Sequence, residues 1–460
     1  MKKQLLAIYW LLAIPFCLSA QNPNSDSAVI RRMFDEALLR GKAHPMLGEL
    51  CKTAPGRVSG SANAQKAVEW GYKTMSDLGF DTVFLQPCMV PHWVRGDAEE
   101  AKIIGKRVKE KVNICALGGS IGTGKKGIKA QVIEVKSIEE VEKLGRDKVE
   151  GKIVFYSRPM DARKIYTFAA YGSCVDQRVW GAKEAAKHGA VGVIVRSMNL
   201  SQDKHPHTGT LVYDDSVQKI PAAAISTEDA DKLSLLLQSE PELQFYFRQT
   251  CETLPDVLSY NVVGEIRGTE FPQEYVITGG HLDAWDNGEG AHDDGAGCVH
   301  SIEAVRIFKA LGIRPKRTIR AVLFMNEENG LKGALQYARQ ADSLQEKHIA
   351  AIESDRGGFT PRGFHLEGDS GKIELVRQWV KLFEPYGLHD FANGGGGADI
   401  SPLKKSQKGI LLAGFVPDSQ RYFDFHHANT DRFENVNKRE LELGAASIAA
   451  FMYLLTQHGY

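Results

Sequence analysis

Four stretches of this chain, far apart in sequence, carry side chains of the types that hold divalent metal ions. The first, residues 279–297, reads GGHLDAWDNGEGAHDDGAG and offers His281, Asp283, Asp293 and Asp294 around a glycine-rich turn. Imidazole nitrogen and carboxylate oxygen suit a borderline-soft cation such as zinc, and glycine lets the backbone turn tightly enough to bring them together. Taken alone, the same residues also suit a hydrogen-bonded turn and a helix cap. The later stretches tip the balance. Glu327 and Glu328 end the apolar run Ala321-Val322-Leu323-Phe324, Asp355 stands in Ser354-Asp355-Arg356-Gly357-Gly358, and His426, His427 and Asp431 stand in FHHANTD. Two adjacent carboxylates at the end of a buried strand repel each other unless a cation lies between them or one holds a proton. A metal resolves this, with one carboxylate ligating and its neighbour handling a water's proton.

These residues need a frame that converges them. Residues 275–278, 318–324, 349–352 and 409–414 read as buried strands. Helices alternate with them, marked by Cys298, Ile302, Val305 and Phe308, then by Leu331, Leu335 and Ala338, and finally by residues 440–455. The pattern predicts an α/β fold with a mixed, mostly parallel central sheet covered by helices on both faces. In such sheets ligands bind beyond the carboxyl ends of the strands, where His281, Glu327, Glu328 and Asp355 fall.

Upstream, Ile30, Met33, Phe34, Ala37 and Leu38 mark one helix, and Ala67, Val68, Trp70 and Met75 another that Gly79 stops. A turn-rich segment at 55–61 separates them, and a strand at 81–85 follows. This part reads as scaffold. From about residue 110 the texture changes to a small α/β module, with strands at 152–156, 191–195 and 220–225 and a helix at 181–188. We therefore expect one domain from 28–110 and 258–460, interrupted by a second at 111–257. His205 and His207, with Pro206 between them, read as solvated surface.

Residues 1–20 are basic at Lys2 and Lys3, apolar from Leu5 to Leu18, and end in Ser19-Ala20. That is the pattern of a secretory signal cleaved after Ala20, which predicts a secreted or periplasmic protein. Phe16 before Cys17 argues against a lipoprotein. No later stretch is apolar enough for an integral membrane segment. The six remaining cysteines, Cys51, Cys88, Cys115, Cys174, Cys251 and Cys298, form no Cys-x-x-Cys pair, and their pairing stays open. With 57 Lys and Arg against 57 Asp and Glu, there is no electrostatic reason to expect nucleic acid as a partner.

Together GGHLDAWDNGEGAHDDGAG, FMNEENGLKGA, ESDRGG, GGGGADISPL and FHHANTD resemble the co-catalytic zinc exopeptidases, which include bacterial leucyl aminopeptidases and glutamate carboxypeptidases, and among these the plasma glutamate carboxypeptidase branch most. The likeness spans essentially the whole mature chain, and the 111–257 module resembles a protease-associated domain. Any one motif is weak, but five in order are specific.

The resemblance implies two zinc ions. His281 and Asp355 would be terminal ligands of one, Glu328 and His427 of the other, with Asp293 bridging. Glu327 would be the general base, and Asp283 would orient His281 through its other ring nitrogen. It also implies a cis peptide at Asp293-Asp294. Asp431, four residues beyond His427, favours His427 over His426 as the ligand, which leaves His426, His292 and His300 as local hydrogen-bonding residues. Asp399 is open between pocket lining and turn.

The implied activity is hydrolysis of dipeptides or short peptides with a free amino terminus. The alternatives are a broad-specificity aminopeptidase, a glutaminyl-cyclase-like transferase and a non-catalytic binding protein. The module is expected to wall off the site against long substrates, with a spacer or homodimer contact as the other reading.

Overall fold

The structure, a computed structural model, describes residues 25–459. The signal segment and Cys17 lie outside them. Two sheets organise the chain. The larger has seven strands and is mixed. Its centre is parallel, with Arg317–Phe324, Phe271–His281, Lys347–Glu353 and Leu411–Pro417 side by side. Antiparallel neighbours flank it: Glu252–Ile266 and Thr82–Val94 on one side, Pro361–Glu367 on the other.

The central strands are buried along almost their whole length because helices cover both faces. Under one face run Ala296–Ala310 and Lys438–His458, both buried on most sides, with the Asp26–Arg40 and Ala43–Thr53 helices outside them and the Ala62–Asp77 helix beside them, packed directly on the sheet at Val262 and Leu323. Their starts are written in the sequence. Ser25 accepts from Ala28 N, Ser61 from Ala64 N, and Asn437 from Arg439 N and Glu440 N, each satisfying amide groups that the first turn leaves orphaned. The Lys332–Ser343 helix packs on the opposite face.

The second sheet has eight strands. Glu100–Ile104 and Lys109–Val112, expected to close the first segment, pair into it instead, because Ala101 and Ile103 seat against Phe245 and Phe247 in its core. Residues 252–257, expected at the end of the insertion, already belong to the larger sheet, as one arm of a long ribbon with Thr82–Val94. A further difference is the Ala43–Thr53 helix, which the sequence pattern did not single out.

Among the described residues no helix is long and apolar enough to cross a membrane. Cys51, Cys88, Cys115, Cys174, Cys251 and Cys298 are all free and buried.

Candidate metal centre

Parallel pairing brings the chemistry to one edge. His281 lies opposite Phe324 in the neighbouring strand, and Gly279 opposite Glu353, so residues just past these ends emerge side by side. His281 closes its strand, Glu327 and Glu328 follow Phe324 by three and four residues, and Asp355 follows Glu353 by two.

Several buried groups hold these ends in place. Arg57, fully buried, donates through Nε to Leu282 O (2.6 Å), Nη1 to Glu289 O (2.7 Å) and Nη2 to Gly290 O (2.8 Å), clamping the glycine-rich loop. The Asp283 carboxylate accepts from Asn326 N at 2.7 Å, Glu327 N at 3.0 Å and Glu328 N at 3.3 Å, and so caps the turn that carries both glutamates. That turn is sharp, with Asn326 at φ 76°. Asp431 accepts from His292 N (2.7 Å) and Asp293 N (3.1 Å). The peptide bond between Asp293 and Asp294 is cis, as the resemblance implies.

His281 Nδ1 meets the backbone carbonyl of Asp283 at 2.9 Å, whereas the Asp283 carboxylate stands 3.9 Å away. The expected orienting contact is therefore made by main chain, because the side chain is already committed to the Asn326–Glu328 amides.

The other ring nitrogens converge on carboxylates. His281 Nε2 lies 3.2 Å from Asp293 Oδ1 and 3.4 Å from Asp355 Oδ1. His427 Nε2 lies 3.3 Å from Asp293 Oδ2 and 3.2 Å from Glu328 Oε2. Asp293 thus stands between two donor groups. His426 Nε2 is 3.8 Å from Asp293 Oδ2, and its ring stacks on that of His427 with centroids 3.6 Å apart.

These spacings fit a metal. With metal–ligand bonds of about 2.0–2.1 Å, neighbouring ligands on a tetrahedron stand about 3.3 Å apart. Asp293 Oδ2 and Glu328 Oε1 are moreover buried without a hydrogen bond among the described residues. A buried carboxylate oxygen left that way is costly unless a cation meets it.

The electrostatics follow from burial. Burial would raise the Asp293 carboxyl, but His281 and His427 beside it outweigh that and hold it well below the usual range. Glu327 goes the other way, pushed well above it by burial and by Asp355, Glu328 and Asp283, with His281 opposing. Burial, together with Glu353 and Glu327, likewise lifts Asp399, whose two side-chain oxygens have no hydrogen bond among the described residues.

Both His292 and His300 are occupied elsewhere. His292 stacks on Phe359 and accepts from Gly358 N at 3.2 Å, while His300 Nδ1 meets Ser354 Oγ at 3.0 Å.

A cavity of about 690 Å³ opens above the cluster. Asp293, Glu327, Glu328, Asp355 and His427 are on its wall, and the insertion contributes Phe168, Tyr171, Arg178 and residues 210–213. Arg178 is nearly buried, lies 5.5 Å from the Tyr171 ring centroid, and has no carboxylate within ion-pair distance among the described residues. His207, expected on the solvated surface, is buried with Nδ1 2.7 Å from His426 O. Nothing local in the sequence tied Arg178 or His207 to the cluster, because the histidines they approach there, His427 and His426, lie more than 200 residues away.

The family model for peptidase family M28 matches residues 261–452, and that for the PA domain matches residues 99–233. Human carboxypeptidase Q is 35% identical over 416 residues, covering 90% of this chain and 85% of that protein. The solved structure of a peptidase M28 precursor from Shewanella amazonensis superposes with a TM-score of 0.90 at 31% identity, over 95% of this chain and 97% of that one. A zinc aminopeptidase from Bacillus subtilis shares the fold, with a TM-score of 0.65 at 19% identity over 91% of this chain and 95% of that one.

Proposed function

The chain belongs to peptidase family M28 and carries a PA domain, and on that footing we propose that it is a secreted di-zinc exopeptidase that hydrolyses dipeptides and other short peptides with a free amino terminus. The observation that carries the reading is the convergence of His281, Asp293, Glu328, Asp355 and His427 on two adjoining points beside Glu327 at the cavity wall.

His281, Asp355 and one oxygen of Asp293 would hold one zinc; Glu328, His427 and the other oxygen of Asp293 would hold the second. The bound ions supply Lewis acidity, acidifying a water and polarising the scissile carbonyl. Glu327 removes a proton from the attacking water as the new C–O bond forms, then returns it to the departing amine as the C–N bond breaks. Its place on the cavity wall, beside the proposed ligands, suits that shuttle. Asp283 has a positioning role here, holding the glutamate turn by its three amides.

The charges on the cavity wall support short substrates. The acidic wall of Asp293, Glu327, Glu328 and Asp355 favours an ammonium group. Arg178, whose Nε is buried without a hydrogen bond and which has no anionic partner among the described residues, favours a carboxylate. The carboxypeptidase name of the human relative and the aminopeptidase name of the Bacillus one fit a substrate short enough to present both ends at once.

Free, amino-acetylated and carboxyl-amidated forms of one dipeptide, assayed side by side with zinc present, test the reading. Cleavage of the free form with loss on acetylation is expected. Equal cleavage of the acetylated form would overturn the requirement for a free amino terminus.

A further inference from the structure

His281 and His427, whose Nε2 atoms lie nearest Asp293, are braced differently. His281 Nδ1 reaches Asp283 O at 2.9 Å, two residues along its own strand end. His427 Nδ1 reaches Thr208 O at 3.2 Å, and Thr208 belongs to the insertion. The contact is reciprocal, since Thr208 N donates to His427 O at 3.0 Å. One residue earlier on each side, His207 Nδ1 donates to His426 O at 2.7 Å. Residues 207–208 and 426–427 are thus joined by three hydrogen bonds across the domain boundary.

These bonds fall on a backbone that needs support. His427 has φ 64°, the left-handed region that a non-glycine residue rarely adopts unless its surroundings hold it there. Apart from Thr208, its carbonyl is met by Asn287 Nδ2 at 2.8 Å. Thr208 is itself pinned from behind by its Oγ1 bond to Ala116 O at 2.7 Å. Ala116 O in turn accepts from Arg95 Nη1 at 2.8 Å, and Arg95 Nε donates to Asp286 Oδ1 at 2.9 Å, so the brace runs back to the glycine-rich loop. Next to Thr208, Gly209 has φ 128°, and a Cβ there would fall on the Arg178 guanidinium and 2.6 Å from His427 Nδ1. The loop comes this close to the ring only because residue 209 has no side chain.

We propose that the inserted domain is a structural part of one half of the metal centre: the 207–209 segment fixes the tautomer and backbone of His427, so metal affinity at the Glu328–His427 half depends on the insertion, whereas the His281–Asp355 half does not. The inference rests on the di-zinc reading. A ligating Nε2 needs its proton on Nδ1, and an acceptor there fixes the ring and raises its basicity. Thr208 O is that acceptor. With the Nδ1 proton given to Thr208, the Arg178 Nη1 group 3.4 Å from His427 Nδ1 finds no lone pair to bond and stays free for another anion.

Zinc titration of the metal-free full-length protein against a competing chelator, for wild type, Gly209→Ala and His207→Ala, tests this. Circular dichroism and thermal unfolding of each apo protein report whether it is folded. Wild type is expected to bind two equivalents. In Gly209→Ala one of them weakens about 10–100-fold, the usual cost of disturbing a ligand's supporting partner, while the other changes little. His207→Ala weakens the same single equivalent, and it decides the matter if Gly209→Ala does not fold. Two equivalents bound as tightly as in wild type, or both weakened alike, would overturn the inference while leaving the di-zinc reading intact. A wild type that binds no second zinc would overturn that reading, and this inference with it.

Discussion

Replacing Glu327 by glutamine separates the base from the metal ligands beside it. The substitution keeps the side chain's size and leaves the Glu327 amide bonded to Asp283 Oδ1 at 3.0 Å, so the turn that presents Glu328 is undisturbed. What disappears is the one carboxylate of the Glu327–Glu328 pair that makes no contact with His281 or His427 of the kind seen for Asp293, Asp355 and Glu328. A positioned general base contributes about 10²–10⁴-fold to the rate. At about 1.36 kcal/mol for each factor of ten, that is about 3–5 kcal/mol of transition-state stabilisation. Because the glutamine still fills the wall, the loss should fall on kcat with little change in KM. The assay is steady-state hydrolysis of a dipeptide with zinc content measured on the same sample. Turnover within about tenfold of wild type, at unchanged zinc content, would refute Glu327 as the proton shuttle.

Other perturbations follow from the same geometry. Asp293→Ala removes the carboxylate shared by both histidines and should release metal from both halves, which elemental analysis of the purified protein measures. Arg178→Gln should lower kcat/KM for a free dipeptide by about 10–100-fold, the value of one or two charge-assisted bonds, and change the carboxyl-amidated form much less; equal losses would rule out a carboxylate contact. Glu442 tests the scaffold far from the cavity. Its carboxylate accepts from His44 N at 3.1 Å, and burial pushes its pKa from 4.5 to about 7. The folded state therefore holds the proton more tightly than the unfolded one. This group's contribution to stability should decline as pH rises between these values, and Glu442→Gln should flatten that part of a denaturation profile.

Of the side chains proposed as metal ligands, those that follow a short apolar run were the most legible in the sequence, since strand periodicity and ligand chemistry can be read there within a few residues, whereas Asp293 and His427 lie in loops and were marked by the resemblance. His281, Glu327, Glu328 and Asp355 needed only the rule that parallel strands present their carboxyl ends together. The choice of His427 over His426 rested on the spacing to Asp431; in the structure His427 Nε2 reaches both Asp293 and Glu328, and His426 Nε2 stands 3.8 Å from Asp293 Oδ2 with its ring stacked on that of His427.

What was not legible depends on contacts between distant segments. Strands 100–104 and 109–112 look like a continuation of the first segment until Phe245 and Phe247 are placed against them. Arg57 looks like one polar residue in a turn, although its guanidinium holds three carbonyls of the glycine-rich loop. A His-Pro-His loop has the composition of exposed surface, yet His207 is buried because the 426–427 backbone covers it. In each case the local pattern carried no sign of the partner, which lay in a distant segment.

Anomalous diffraction at the zinc edge, from crystals of the protein as purified, is the most direct test of the central assignment. Two peaks are expected on either side of the Asp293 carboxylate, one against His281 and Asp355 and the other against Glu328 and His427. A map with no peak at Asp293, or with zinc bound only at other residues, would contradict it.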